Sequence, residues 1–143
     1  MKKMAISFLM FLLCSCTTMH YGNQALMPKS KEDYLVRDAV SQMRKVYPPA
    51  KNTFYLSQRV YDVFGVKLLS ALRKHGYGIV EEIKNKQQAN FFYVLDEYGF
   101  DKSKNYRLSL FVGNQALNRA YVLNRGSVTP ITPWTHKEIT NGN

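Results

Sequence analysis

Cysteine is almost absent from this chain: two residues in 143, Cys14 and Cys16, both within the first sixteen positions. That scarcity excludes a disulfide-stapled small fold and a thiolate metal site. Histidine is equally sparse, and His20, His75 and His136 stand at no ligand spacing. No apolar run approaches the ~20 residues that a helix needs to span a bilayer. Acids are few, ten against twenty Lys and Arg, which leaves a formal charge of +10. Repeats are missing, as are the G-x-S-x-G, H-E-x-x-H, P-loop and C-x-x-C motifs. What remains is 45% apolar and includes ten Tyr and eight Phe, so a disordered polypeptide is excluded too. The length suits one domain.

The N-terminus predicts export. Lys2 and Lys3 make a short positive region ahead of the apolar stretch 5–13, which is too short to cross a bilayer and reads as a secretory signal. It ends in Leu13-Cys14-Ser15-Cys16, which has the form of a bacterial lipobox. Cys16 is the better acceptor because the small Ser15 precedes it, whereas bulky Leu13 precedes Cys14. Residues 1–15 are thus a lipoprotein signal peptide, and Cys16 is the site of lipidation. Acyl chains, palmitate among them, supply the attachment at about 0.8 kcal/mol for each buried CH₂. Thr17 stands where Asp would retain an enterobacterial lipoprotein at the inner membrane, so sorting to the outer membrane, facing the periplasm, is expected.

Loss of residues 1–15 removes Lys2 and Lys3 and no acid, which brings the charge to +8. A basic balance usually points to nucleic acid. Export argues against that partner, and no direct nucleic-acid contact is expected. The basic residues are spread along the chain, as on a generally solvated surface.

Residues 16–31 form a polar tether, and residues 32–143 a single α+β domain with an irregular C-terminal tail. Ser30 and Asp33 fit a capping box for a first helix over about 31–46, whose apolar stripe includes Leu35, Val36, Ala39, Val40 and Met43. Pro48-Pro49 stops it. A short strand at 52–56 follows. Ser57 is a candidate cap for a second helix carrying Val60, Phe64, Leu68, Ala71 and Leu72, which Gly76 ends. Gly65 within that helix either permits close packing or marks a later helix start. From there the period turns to two, with strands at 77–83, 90–96, 106–112 and 117–123. Short connections imply mostly antiparallel pairing. The expected architecture is two helices packed on a mostly antiparallel sheet of about four to five strands.

Chemistry is hard to find. Glu81-Glu82 and Asp96-Glu97 are adjacent acids, and on strands neighbours point to opposite faces. His75 suits the negative end of a helix dipole, and Asp62 the positive end. The aromatic cluster Phe91, Phe92, Tyr93, Tyr98, Phe100 and Tyr106 reads as a sheet core with cross-strand pairs. No enzyme, cofactor, metal or small-molecule substrate is expected.

Several segments together resemble the TrbH family of conjugative plasmid transfer. They are Val46-Tyr47-Pro48-Pro49-Ala50, then Phe64-Gly65 followed by Leu68, Leu72-Arg73 and Gly76-Tyr77. Further on come Tyr106-Arg107-Leu108 with Leu110 and Val112-Gly113, then Leu117 with Arg119-Ala120-Tyr121, and Trp134-Thr135 with Lys137-Glu138. The likeness spans about residues 33–138; His136 stands where the family pattern has Arg. The resemblance implies a lipoprotein of the mating-pair-formation apparatus, a type IV secretion system. Its expected partners are VirB9-like and VirB10-like channel proteins, and its domain could be similar to the N0 domain of secretins. Trp134, Tyr121 and Arg119 are the candidate partner-binding residues. The alternatives are an envelope lipoprotein that binds cell-wall polymer and a surface-exclusion or inhibitor module.

Overall fold

The computed structural model describes residues 21–82, 88, 90–99 and 104–140. The segment expected to be a signal peptide, Cys16 and Phe100 lie outside these residues. Two helices, α1 (Lys29–Val46) and α2 (Val63–Lys74), pack against each other and against one face of a six-stranded sheet. The sheet comprises β1 (Gly22–Asn23), β4 (Phe91–Tyr98), β5 (Lys104–Val112), β6 (Gln115–Asn124), β7 (Ser127–Pro130) and β8 (Thr135–Glu138). Its order is β1-β4-β5-β6-β7, and β8 also pairs with β6. All pairings are antiparallel except β1 with β4. A separate parallel pair, β2 (Thr53–Tyr55) and β3 (Gly78–Val80), extends the structure at one end. The expected α+β class and its predominantly antiparallel sheet are therefore found.

The period-2 pattern builds the core. Phe91, Tyr93 and Leu95 on β4 alternate with more exposed residues, and in register they face Val112, Leu110 and Leu108 on β5. The same side of β6 carries Leu117, Arg119 and Tyr121. The helices cover this side with Leu35, Val36, Ala39, Val40 and Met43 from α1, and with Phe64, Leu68, Leu69 and Leu72 from α2. Fully burying each large side chain stabilises the fold by roughly 1.5–3 kcal/mol. At the end of the sheet Phe54 stacks on both Tyr77 and Phe91, with ring centroids 5.2 and 5.0 Å apart.

Several boundaries differ from the sequence reading. Residues assigned to the tether belong to the fold: Gly22 and Asn23 pair with Val94 and Leu95, and α1 starts at Lys29. With that start Ser30 lies inside the first turn, so no side chain caps the helix, and the Pro28 carbonyl accepts from Lys31 N–H instead. The cap of α2 is Asp62 rather than Ser57. Ser57 is held by the sheet, donating its N–H to the Phe91 carbonyl. The tail expected to be irregular contributes β7 and β8.

Two turns set the register of the long strands. Gly113, with φ 57°, takes the first central position of the β5–β6 turn. Arg125 and Gly126 both have positive φ, 47° and 77°, as the type I′ turn between β6 and β7 requires.

Candidate functional site

Residues 117, 119 and 121 share the helix-facing side of β6, so the middle one places a guanidinium among apolar neighbours. Arg119 is brought there by an acid from the facing helix. Its Nη1 donates to both carboxylate oxygens of Asp38 on α1, at 2.9 and 3.0 Å. Its Nε donates to the carbonyl of Thr132 at 2.9 Å, in the segment between β7 and β8. The guanidinium carbon lies 5.9 Å from the ring centre of Tyr121 and 6.0 Å from that of Trp134, within cation–π range. Tyr121 is fully buried and donates its hydroxyl to Asp38 Oδ2 at 2.6 Å, while Tyr34 meets its ring edge-on. Burial, then the Asp38 carboxylate, pushes the Tyr121 phenol far above its ordinary pKa.

The fold thus unites Arg119, Tyr121 and Trp134, the three candidate partner-binding residues, but turns them largely inward. Tyr121 has no exposed surface: its ring packs under α1 and its hydroxyl is used by Asp38. Arg119 keeps about 20% of its side chain exposed, and Trp134 is half-buried. The surface beside them is open, since Ile131 is 51% exposed. Here the edge strand is interrupted between Pro130 and Thr135. Ile131 N–H donates to the Ala120 carbonyl, and Ala120 N–H donates to Thr132 Oγ1. The bracket therefore ties three elements together: α1, β6 and the C-terminal edge. Asp38 was missed in the sequence, although Arg119 shares a predicted strand face with Leu117 and Tyr121 and so calls for an acid.

Two other polar centres lie beneath the helices. Asp62 caps α2 through Oδ1, which accepts from Gly65 N–H at 2.8 Å, and its Oδ2 accepts the hydroxyl of buried Tyr93. Burial and then this carboxylate raise the Tyr93 phenol well above its usual range. Gly65 is where the two centres of packing meet, because Tyr93 Oη would stand 1.8 Å from any Cβ there. Glu32 on α1 is 2% exposed; Asn23 Nδ2 donates to its Oε1, and Lys67 Nζ lies 3.6 Å from its Oε2.

Burial raises the Glu32 pKa above its ordinary 4.5, and the Lys67 charge offsets this only in part. The ionised form is therefore less favourable in the folded protein than in the unfolded chain. Below the unfolded pKa both states are protonated; above it Glu32 ionises first in the unfolded chain, and stability falls. Glu32→Gln should accordingly raise the melting temperature at pH 7, and the gain should close as the pH is taken below 4. Thermal unfolding at both pH values checks this; a gain that persists at pH 3.5 would contradict the titration argument.

Three further acids form ordinary ion pairs: Glu81 with Arg73, Asp96 with Arg107, and Glu97 with Lys104 at 3.9 Å. His75 lies at the C-cap of α2, and His136 meets Tyr47 edge-on. No cluster of three His, Cys, Asp or Glu side chains forms a metal cage among the described residues. Nor is any helix among them long and apolar enough to cross a membrane.

No curated protein and no solved structure matches the chain. A family model does match, that of the conjugal transfer protein TrbH, over residues 18–138. The matched span takes in both helices, every strand and the Asp38–Arg119–Tyr121 bracket. The chain belongs to the TrbH family of conjugal transfer proteins.

Proposed function

We propose that this protein is an outer-membrane lipoprotein of a plasmid conjugative type IV secretion system, anchored through Cys16 and non-catalytic. What carries the reading is one coincidence: a chain of the conjugal transfer family opens on a lipobox-type Leu13-Cys14-Ser15-Cys16 behind a short signal-like segment. The domain then braces channel proteins of the VirB9-like and VirB10-like kind from the periplasmic side. The C-terminal edge is the surface offered to them, with Ile131 exposed and Trp134 and Arg119 setting its shape. Aromatic and Arg side chains around an apolar centre are the usual make-up of protein contacts.

Cys16→Ser should move the protein from the membrane to the soluble envelope fraction and lower plasmid transfer at least tenfold. Tagged protein captured from detergent-solubilised envelopes should bring down VirB9-like and VirB10-like proteins in a large particle. Unchanged transfer by the Cys16→Ser variant would sink the anchoring role. Capture of a lone monomer that co-sediments with isolated peptidoglycan would favour the cell-wall-polymer reading instead.

A further inference from the structure

The distance between the proposed anchor and the fold constrains how the domain meets the membrane. Four residues lie between Cys16 and Tyr21, which immediately precedes β1, so five Cα–Cα steps join them. At full extension they reach about 18 Å. A domain of about 110 residues is roughly 34 Å across. The end of the domain that carries β1 is therefore held at the lipid surface, and the opposite end cannot reach it.

That end has its own chemistry. Tyr21, Gly22 and Asn23 line a shallow concavity together with Gln58, Arg59 and Tyr61 from the loop before α2. Tyr61 is 80% exposed, and Tyr21 is 39% exposed with its ring edge-on to Phe92. Arg59 donates to the Tyr61 hydroxyl at 3.4 Å, so cation and phenol are presented side by side. Asp62, the acid of this rim, has its carboxylate occupied by Gly65 N–H and the Tyr93 hydroxyl at a helix N-terminus. Leu26, four residues beyond Gly22, is 82% exposed. Amphipathic aromatics beside an exposed guanidinium are the side chains that settle at the headgroup level of a bilayer.

We propose that the concavity around Tyr21, Arg59 and Tyr61 is the membrane-facing surface of the domain, seated on anionic phospholipid headgroups. The inference rests on acylation of Cys16. It sets the domain's orientation: the β1 end lies on the lipid, and the end of α1, about 26 Å along that helix from Lys29, points away from it.

The test uses the mature acylated protein in vesicles of phosphatidylethanolamine and phosphatidylglycerol at 3:1, with acylation verified by mass spectrometry. A nitroxide is placed at position 61 (Tyr61→Cys) or, as a control, at exposed Lys45 (Lys45→Cys). Position 61 should be shielded from a water-soluble relaxation agent at least threefold relative to position 45. Adding Arg59→Gln should shift the docked-to-free ratio about fivefold toward free, the worth of one cation at an anionic surface. Protein found without acyl chains would overturn both this proposal and the anchoring it rests on. Acylated protein with positions 61 and 45 equally accessible would overturn the proposal alone. Shielding that appears only with channel proteins present, and never in bare vesicles, would make the surface a protein contact and overturn it as well.

Discussion

Gly65→Ala should unfold this protein at a temperature about 5–25 °C below the wild type. Alanine ordinarily favours a helix interior over glycine by about 1 kcal/mol, so propensity alone predicts the opposite sign. The structure reverses it. A Cβ at position 65 would lie 1.8 Å from Tyr93 Oη, 2.6 Å from Tyr93 Cζ and 2.5 Å from Val60 Cγ1. Tyr93, on β4, is fully buried beneath α2, so its ring can yield only by displacing core neighbours such as Phe64. Overpacking of this kind costs about 1–3 kcal/mol. Displacing the phenol also breaks its bond to Asp62 and leaves a buried hydroxyl unpaired, about 1–3 kcal/mol more. The net loss, after the propensity gain is subtracted, is about 1–5 kcal/mol, a large part of the stability of a domain this size. At several degrees for each kcal/mol, the melting temperature follows.

The discriminating measurement is the double variant with Tyr93→Phe. Tyr93→Phe alone removes one hydrogen bond and should cost about 1–2 kcal/mol. In the Gly65→Ala background it should instead restore part of the loss, since it deletes the atom nearest the new methyl. A melting temperature for Gly65→Ala within 3 °C of wild type would show that α2 can shift away from the sheet freely. Additive losses would show that the clash is with Val60 rather than with the phenol.

Gly65 also shows what the sequence can and cannot reveal. Its two explanations, close packing or a later helix start, were both legible as alternatives. The fold contains both, because Asp62 caps the helix three residues ahead while the glycine admits Tyr93. The helix stripes and the alternation on β5 were legible because one side of each element is buried and the other wet. The C-terminal strands gave no such signal. β8 is exposed along its whole length, Pro130 ends β7, and Pro133 lies in the break between the two strands. β1 is two residues long, held mainly by its backbone pairing to β4 and by the Asn23–Glu32 bond. Pattern has nothing to register in two residues. Tyr121 was legible in position: its parity with Leu117 on β6 places it inside, and inside is where it lies. Its acceptor, Asp38, is 83 residues away, and only the packing of α1 over β6 joins them.

That long-range joint is the second place where one side chain should matter greatly. Asp38→Ala should lower the melting temperature by about 10–15 °C and free the C-terminal edge from the sheet. Removing the carboxylate leaves Arg119 with no counter-charge and the fully buried Tyr121 hydroxyl with no acceptor. Breaking a fully buried pair costs about 3–5 kcal/mol; with about a fifth of each side chain exposed, solvent screening reduces this to about 2–3. Arg119→Met in the same background should recover stability, because the orphaned charge goes while the apolar stem still fills the space. Arg119→Lys should not substitute for arginine, since one ammonium cannot reach both Asp38 oxygens and the Thr132 carbonyl in this geometry. Hydrogen exchange gives the local readout: the amides of Ala120 and Ile131, bonded to Thr132 Oγ1 and the Ala120 carbonyl, should lose protection before those of β4 and β5. Equal loss across the whole sheet would mean that Asp38 supports the fold globally rather than the C-terminal edge. If that edge carries the channel contact, Asp38→Ala should lower plasmid transfer at a temperature where the domain is still folded, and Asp38→Ala with Arg119→Met should restore stability without restoring transfer, because Asp38→Ala removes the acid that holds Arg119 in place and Arg119→Met removes the Arg119–Thr132 bond that shapes the edge.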